Sequence, residues 1–189
     1  MPKLGAEPIR KAALINATIA TVGRKGSLDV TVAQIAREAG MSTALAHHYF
    51  GSKERIFLAA MRHILSQYRD TMLAALQRSE SPRTRLISIV KANFGGMNFE
   101  PETIAAWLNF YALALVDPEA GRLLRVYHSR LRSNLVVALR PLMGAEAANI
   151  ARTLGALIDG VYLRAALSDE IDGIEAERLV LAYLENVLP

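Results

Sequence analysis

Apolar residues recur every three or four positions along almost the whole chain, and no window of useful length alternates apolar and polar residues as a half-buried strand would. The pattern predicts an all-α protein. Over 7–25, Ile9, Ala12, Ile15, Ile19 and Val22 fall on one stripe, and Gly26 follows where a left-handed helix stop is wanted. Thr31 is placed to cap a short helix over 32–39, Gly40 and Met41 make a tight turn, and Ser42 caps a second short helix over 43–50 that ends at Gly51. Ser52 then opens a long helix in which Ile56, Ala60, Met61, Ile64, Leu65, Tyr68, Met72 and Leu76 form one apolar stripe, up to about residue 78. At ~1.5 Å per residue it would reach roughly 39 Å, enough to connect a small N-terminal unit to everything downstream.

Proline in the first turn marks three further helix starts, at Ser81-Pro82, Glu100-Pro101 and Asp117-Pro118, while Gly144 and the stretch 168–173 supply the remaining breaks. About nine helices follow: three in a helix-turn-helix unit over 1–51, then a connector and five more in a helical unit over 52–189. The last two, roughly 146–167 and 174–188, are rich in apolar positions, among them Ile150, Leu154, Leu157, Ile158, Val161, Tyr162, Leu179, Val180, Tyr183 and Val187. A dimer face and an internal helical hairpin both account for that excess.

Composition narrows the function. With 189 residues, 52% of them apolar, the chain builds a sizeable core, and without cysteine it has no disulfide, thiolate metal site or cysteine nucleophile, which excludes a zinc finger. The longest nearly uncharged apolar stretch, 104–116, contains Asn109 and is shorter than the ~20 residues of a membrane span. Glu7, Arg10 and Lys11 interrupt the region where an export signal needs an unbroken apolar run, so a cytoplasmic protein is expected. Residues 1–55 hold eight Lys/Arg against four Asp/Glu, and the remaining residues are neutral overall, so the whole net charge of +4 lies in the N-terminal part. That asymmetry points to a polyanion as partner for those residues.

The stretch TVAQIAREAGMSTALAHHYF over 31–50 has the size and punctuation of a DNA-binding helix-turn-helix. In its second helix Thr43, Ala44, His47 and His48 share one stripe, while Ala46 and Phe50 lie on the other, beside Ile35 and Ala39 of the preceding helix. Small and polar residues on a free face suit entry into a major groove. Thr31, Ser42, Tyr49 and Lys53 carry donors suited to phosphates, several of them at helix N-termini. Two short helices joined by a glycine also occur as plain packing elements, and the charge asymmetry favours the DNA reading. His47 and His48, adjacent on a helix, diverge by about 100° and so do not chelate one ion, which leaves no metal site. His63 and His128 stand isolated in the sequence.

With these residues in view, TVAQIAREAGMSTALAHHYFGSKERIF over 31–57 resembles the signature of the TetR family of bacterial transcriptional regulators, HYF followed by GSKE being the most specific part. The likeness continues through the first 19 residues, Asn93-Phe94, AWLNFY at 106–111 and LIDGVYLRAAL at 157–167, where it narrows to choline-responsive repressors of that family. The resemblance implies a homodimer on an inverted-repeat operator in double-stranded DNA, joined through the last two helices. It also implies a small-molecule effector held in the C-terminal unit, control of genes for converting choline to the osmoprotectant glycine betaine, and a place at the nucleoid. Neither an enzymatic activity nor a cofactor is implied. By motif, DNA contacts carry onto Thr31, Ser42, Thr43, Ala44, His47, His48, Tyr49 and Lys53. Leu45 and Ala46 stand where members often have threonine and leucine, and His47 where they often have tyrosine, so the operator sequence is not carried over with the fold.

A quaternary ammonium such as choline's offers no hydrogen-bond donor on nitrogen and is held best by aromatic faces with a carboxylate in range. Trp107 and Tyr111, four apart on one helical face, with adjacent Phe110 and with Tyr127, Asp159 and Tyr162 on later helices, are the candidates. An aromatic stripe at helical spacing is also how a core packs. Trp107 and Asp159 fall within the shared segments, which favours the ligand reading. The alternatives are a repressor of the same type with a drug, lipid or acyl-CoA as effector, and, more remotely, a helical enzyme or binding protein, for which no phosphate loop or nucleophile elbow is present.

Overall fold

The computed structural model describes residues 6–167 and 172–189, leaving aside the side chains of residues 97 and 166. Lys3 of the N-terminal charge excess, and residues 168–171 of the break expected at 168–173, lie outside the described residues. Among those described, the chain is all helical: α1 (Ala6–Lys25), α2 (Val32–Glu38), α3 (Thr43–Phe50), α4 (Lys53–Gln77), α5 (Pro82–Phe94), α6 (Pro101–Val116), α7 (Pro118–Met143), α8 (Ala147–Leu167) and α9 (Gly173–Val187), with 3-10 turns at Gly96–Phe99 and Gly144–Glu146.

Local chemistry sets most of these boundaries. The Thr31 hydroxyl accepts from the Gln34 amide while the Gln34 side chain accepts from the Thr31 amide, a reciprocal cap at the start of α2. Ser42 accepts from Leu45 N–H to open α3, and Ser81, with Thr84, repeats the reciprocal cap ahead of Pro82 on α5. Asp117 and Asp172 accept from Ala120 and Glu175 to start α7 and α9. Each such cap is worth roughly 1 kcal/mol. α2 is one residue shorter than its expected span, because Ala39 is its C-cap.

The described residues form two compact units. The first comprises α1 to α3, α4 as far as Ile64, α6 and the start of α7 through Gly121; the second comprises the rest of α4, α5, and α7 from Arg122 onward with α8 and α9. The cut expected at residue 51 follows the helix punctuation at Gly51 and Ser52, whereas packing also gives the first unit α4 as far as Ile64, α6 and the start of α7.

In the first unit Leu14, Val22, Val30, Ile35, Ala46, Ile56, Met61, Ala106 and Phe110 are core. The buried face of α1 differs from the expected stripe: Leu14, Ala17, Thr18 and Val22 are inside, while Ile9 is 72% exposed and Ala12 is exposed. Both sets have helical spacing, and the one containing a threonine is satisfied because the Thr18 hydroxyl donates to the Leu14 carbonyl at 2.7 Å. α1 approaches α6 closely enough that a Cβ at Gly23 would lie 2.6 Å from Glu102 Cα.

In the second unit Met72, Leu86, Ile89, Val90, Leu135, Leu139, Leu154, Ile158, Val180 and Leu184 are core. Leu163, Leu167, Ile174 and Leu179 of α8 and α9 remain exposed, Ile174 at 81%. Among the described residues no helix is long and apolar enough to cross a membrane.

Candidate nucleic-acid interface and effector site

In the first unit the turn between α2 and α3 follows from Gly40, whose amide donates to Arg37 O, and from Met41, whose amide donates to Ala36 O at 2.8 Å. Ile35, Ala36 and Ala46 are buried; Ala39 and Phe50, expected beside them, are half-buried. Packing of these residues leaves Thr43, Ala44, His47 and His48 on the exposed face of α3. That face offers a small side chain, a methyl-bearing hydroxyl and two imidazoles, a set that fits the edges of base pairs.

Of the residues expected to bind phosphates, Thr31, Ser42 and Lys53 stand at the N-terminal ends of α2, α3 and α4, and Tyr49 in the last turn of α3. Ser42 uses its oxygen to accept from Leu45 N–H at 3.2 Å, leaving its proton to donate. Thr31 donates its proton to Gln34 Oε1 at 3.2 Å, so a phosphate there would replace that bond. Tyr49 Oη accepts from Arg10 Nη1 at 3.5 Å, and Lys11 Nζ stands 5.9 Å from the Tyr49 ring centre. Lys53, in the first turn of α4, lies 5.5 Å from the Phe57 ring centre. Arg10 and Lys11 are members of this group that the sequence displayed only as net charge, since their approach to α3 is a tertiary contact. Glu7 sits with them: its hydrogen bond to Lys11 holds its carboxyl below the usual range, and the Lys11 and His48 charges act in the same direction. An open groove of about 420 Å³ between α1 and α2, lined by Thr21, Arg24, Lys25, Gln34, Arg37 and Glu38, adds three cations, of which Arg24 pairs with Glu38 at 2.8 Å.

Of the six candidate effector residues, Trp107, Phe110 and Tyr111 belong to α6 in the first unit. Trp107 and Phe110 are core there, and the Trp107 and Tyr111 rings lie 5.9 Å apart at 36°. Tyr127, Asp159 and Tyr162 belong to the second unit, Tyr127 beside residues of α4 and α5, Asp159 beside His128 of α7, and Tyr162 against the Gly96–Phe99 turn. The Tyr127 ring meets Tyr68 edge-on at 5.1 Å, and Tyr127 Oη donates to Asn93 Oδ1 at 3.5 Å. Asp159 Oδ2 lies 3.4 Å from His128 Nε2, so His128 is not the isolated group its sequence position suggested. Tyr162 Oη donates to the Asn98 carbonyl at 2.8 Å, and its ring meets Phe99 edge-on at 5.6 Å.

Burial pushes the phenols of Tyr68 and Tyr162 above the ordinary tyrosine range; at Tyr68 the Asn93 side chain opposes this and the Asp159 charge adds to it. Tyr68 is therefore kept as a neutral aromatic ring within the field of the Asp159 carboxylate. Tyr68, Asn93 and His128 are additions to the expected set. Tyr68 stood in the apolar stripe of α4, and Asn93 is buried with its amide donating to Ile89 O at 2.7 Å. Among the described residues no group of three or more His, Asp or Glu is placed to hold a metal ion.

The first unit thus has the parts of a helix-turn-helix reader of double-stranded DNA. Residues 14–60 match the bacterial regulatory proteins of the tetR family, and residues 82–189 match the C-terminal domain of BetI-type transcriptional repressors. The HTH-type transcriptional regulator BetI of Brucella anthropi is 52% identical over 186 residues, 97% of this chain and 96% of that one. Among solved structures, a transcriptional regulator from Pseudomonas aeruginosa PAO1 superposes with a TM-score of 0.82 at 26% identity, covering 98% of this chain and 92% of its own. One from Saccharomonospora viridis, solved in complex with choline, has the same fold, with a TM-score of 0.86 at 21% identity over 94% of this chain and 96% of its own. The chain belongs to the TetR family and is a BetI-type transcriptional repressor. Its relatives are regulators of transcription rather than enzymes.

Proposed function

We propose that the protein represses genes for making glycine betaine from choline and that choline is its effector. The observation that carries this reading is the edge-on pair of Tyr68 and Tyr127 in the second unit, with the charge of Asp159 acting on Tyr68. A trimethylammonium group gains roughly 0.5–2 kcal/mol per well-placed ring, and a neighbouring carboxylate adds attraction that a neutral ligand cannot use. The choline complex of the S. viridis protein supports the same ligand class. Calorimetry with choline and with its neutral isostere, in which a quaternary carbon replaces the nitrogen, tests it. Choline binding with at least tenfold preference over the isostere is expected; equal affinity would remove the cation from the reading.

DNA contact is assigned to Thr31, Ser42, Thr43, Ala44, His47, His48, Tyr49 and Lys53, with Arg10 and Lys11 behind Tyr49. A homodimer through α8 and α9 accounts for the apolar side chains those helices leave exposed, Leu163, Leu167, Ile174 and Leu179. Two-fold symmetry then calls for an inverted repeat whose half-sites lie about 34 Å apart. The work is done where the DNA is, in the cytoplasm at the nucleoid. α4 runs unbroken from the α3 side of the chain into the effector cluster at Tyr68. Choline releases DNA in this scheme only by binding the DNA-free conformation more tightly, since equal affinity for both conformations shifts nothing.

A further inference from the structure

His47 carries an unusual local tie. Gly51 has φ +80°, a left-handed value open to glycine, and this conformation brings its carbonyl back toward the side chain four residues earlier. The Gly51 amide donates to His47 O at 2.7 Å, and His47 Nδ1 lies 3.2 Å from Gly51 O. A carbonyl oxygen only accepts, so the proton of this bond sits on Nδ1. In a neutral ring the other nitrogen, Nε2, then carries a lone pair and no proton. His47 is exposed on the same face of α3 as Thr43 and Ala44.

We propose that His47 is a specificity-determining residue that reads an exocyclic amino group in the major groove, adenine N6 or cytosine N4, by accepting its hydrogen bond at Nε2. The proposal rests on α3 being the helix that enters the groove. Thymine O4 and guanine O6 and N7 present only acceptors at their edges, and a bare Nε2 cannot bond to them. An imidazole with its proton on Nε2 would instead donate to thymine O4, to guanine O6 or N7, or to adenine N7, and would not need an amino group. Gly51 therefore sets which bases this position admits, through a carbonyl that itself touches no DNA.

Two measurements test the proposal on the full-length protein. Long-range proton–nitrogen correlation spectra of the free, nitrogen-labelled protein, at about pH 8 where an ordinary imidazole is neutral, are expected to show His47 with its proton on Nδ1. The His47→Gln variant identifies the signal. Fluorescence anisotropy then follows binding to an inverted-repeat duplex that the full-length protein selects from random-sequence DNA. In that duplex each adenine is replaced singly by purine and each cytosine by 2-pyrimidinone, which removes the amino group alone. One position per half-site is expected to cost the wild type about fivefold in affinity, the worth of one neutral hydrogen bond, and to cost His47→Phe nothing. His47→Gln, which keeps an acceptor, is expected to recover part of the loss.

A proton on Nε2 overturns the proposal. So does an amino-group effect that is the same in wild type and His47→Phe at every position, or a His47-dependent loss on replacing guanine by 7-deazaguanine instead. Failure of the wild type to prefer the repeat over unrelated DNA would overturn the assignment of α3 itself, which is a separate outcome.

Discussion

Replacing Gly23 by alanine tests how the DNA-reading unit is held together. A glycine inside a helix ordinarily costs stability, and alanine there would return at most about 1 kcal/mol. Here the new Cβ would stand 2.5 Å from Glu102 Cβ, 2.6 Å from Glu102 Cα and 2.7 Å from its carbonyl oxygen. Carbon atoms rest about 3.5–4.0 Å apart, and two of the three obstacles are backbone, so no rotamer change relieves them. α1 and α6 would have to separate locally by about 1 Å. Overpacking of this kind costs about 1–3 kcal/mol, which outweighs the propensity gain and leaves a net loss of about 0.5–2 kcal/mol. For a chain of this size that corresponds to a fall in Tm of about 1–8 °C, read by circular dichroism at fixed protein concentration because a dimer's Tm depends on it. A Tm equal to or above that of the wild type would refute the close approach of α1 and α6, and with it the inclusion of α6 in the first unit.

Other substitutions separate the remaining roles. Trp107→Ala, at a side chain 6% exposed in the first unit, should lower stability by about 3–5 kcal/mol in denaturant titrations; a stable variant that loses only its choline response would instead make Trp107 a ligand contact. Asp159→Asn should weaken choline binding at least tenfold in calorimetry while thermal stability changes little, because its partner His128 is not fully buried; unchanged choline affinity would remove the carboxylate from the site. Leu163→Glu combined with Leu179→Glu should convert dimer to monomer in sedimentation velocity, whereas Leu115→Glu, at a side chain 87% exposed on α6, should not. A dimer that survives the double change would move the interface elsewhere. Tyr162→Phe leaves the Asn98 carbonyl without this donor and should cost about 1–2 kcal/mol in denaturant titrations; no loss would mean that water replaces the phenol.

What the sequence makes legible here is what depends on neighbours along the chain. Thr31 with Gln34, Ser42, Ser81 with Pro82 and Asp117 with Ala120 act within one turn, so the helix starts could be read before any fold was known. The exposed stripe Thr43, Ala44, His47 and His48 was equally local, since one short helix has little choice of face. α1 offered two apolar stripes of equal spacing, and the choice fell to the one containing Thr18, whose hydroxyl cost is cancelled by a bond within the helix that no hydropathy pattern displays. The candidate effector residues were partly legible. Tyr127, Asp159 and Tyr162 announced themselves by residue type, but Tyr68 looked like core, and Asn93 reaches Tyr127 only through tertiary packing. Trp107, the most conspicuous aromatic residue, is buried on α6 in the first unit.

The most direct test of a choline-relieved repressor is to titrate choline into a preformed complex of the protein with the DNA upstream of its own gene, following anisotropy at fixed salt because phosphate contacts make the affinity salt-dependent. Choline is expected to dissociate the complex over the same concentration range in which it binds the free protein, and the neutral isostere is expected to leave it intact. A complex that stays intact at choline concentrations saturating the free protein would contradict it.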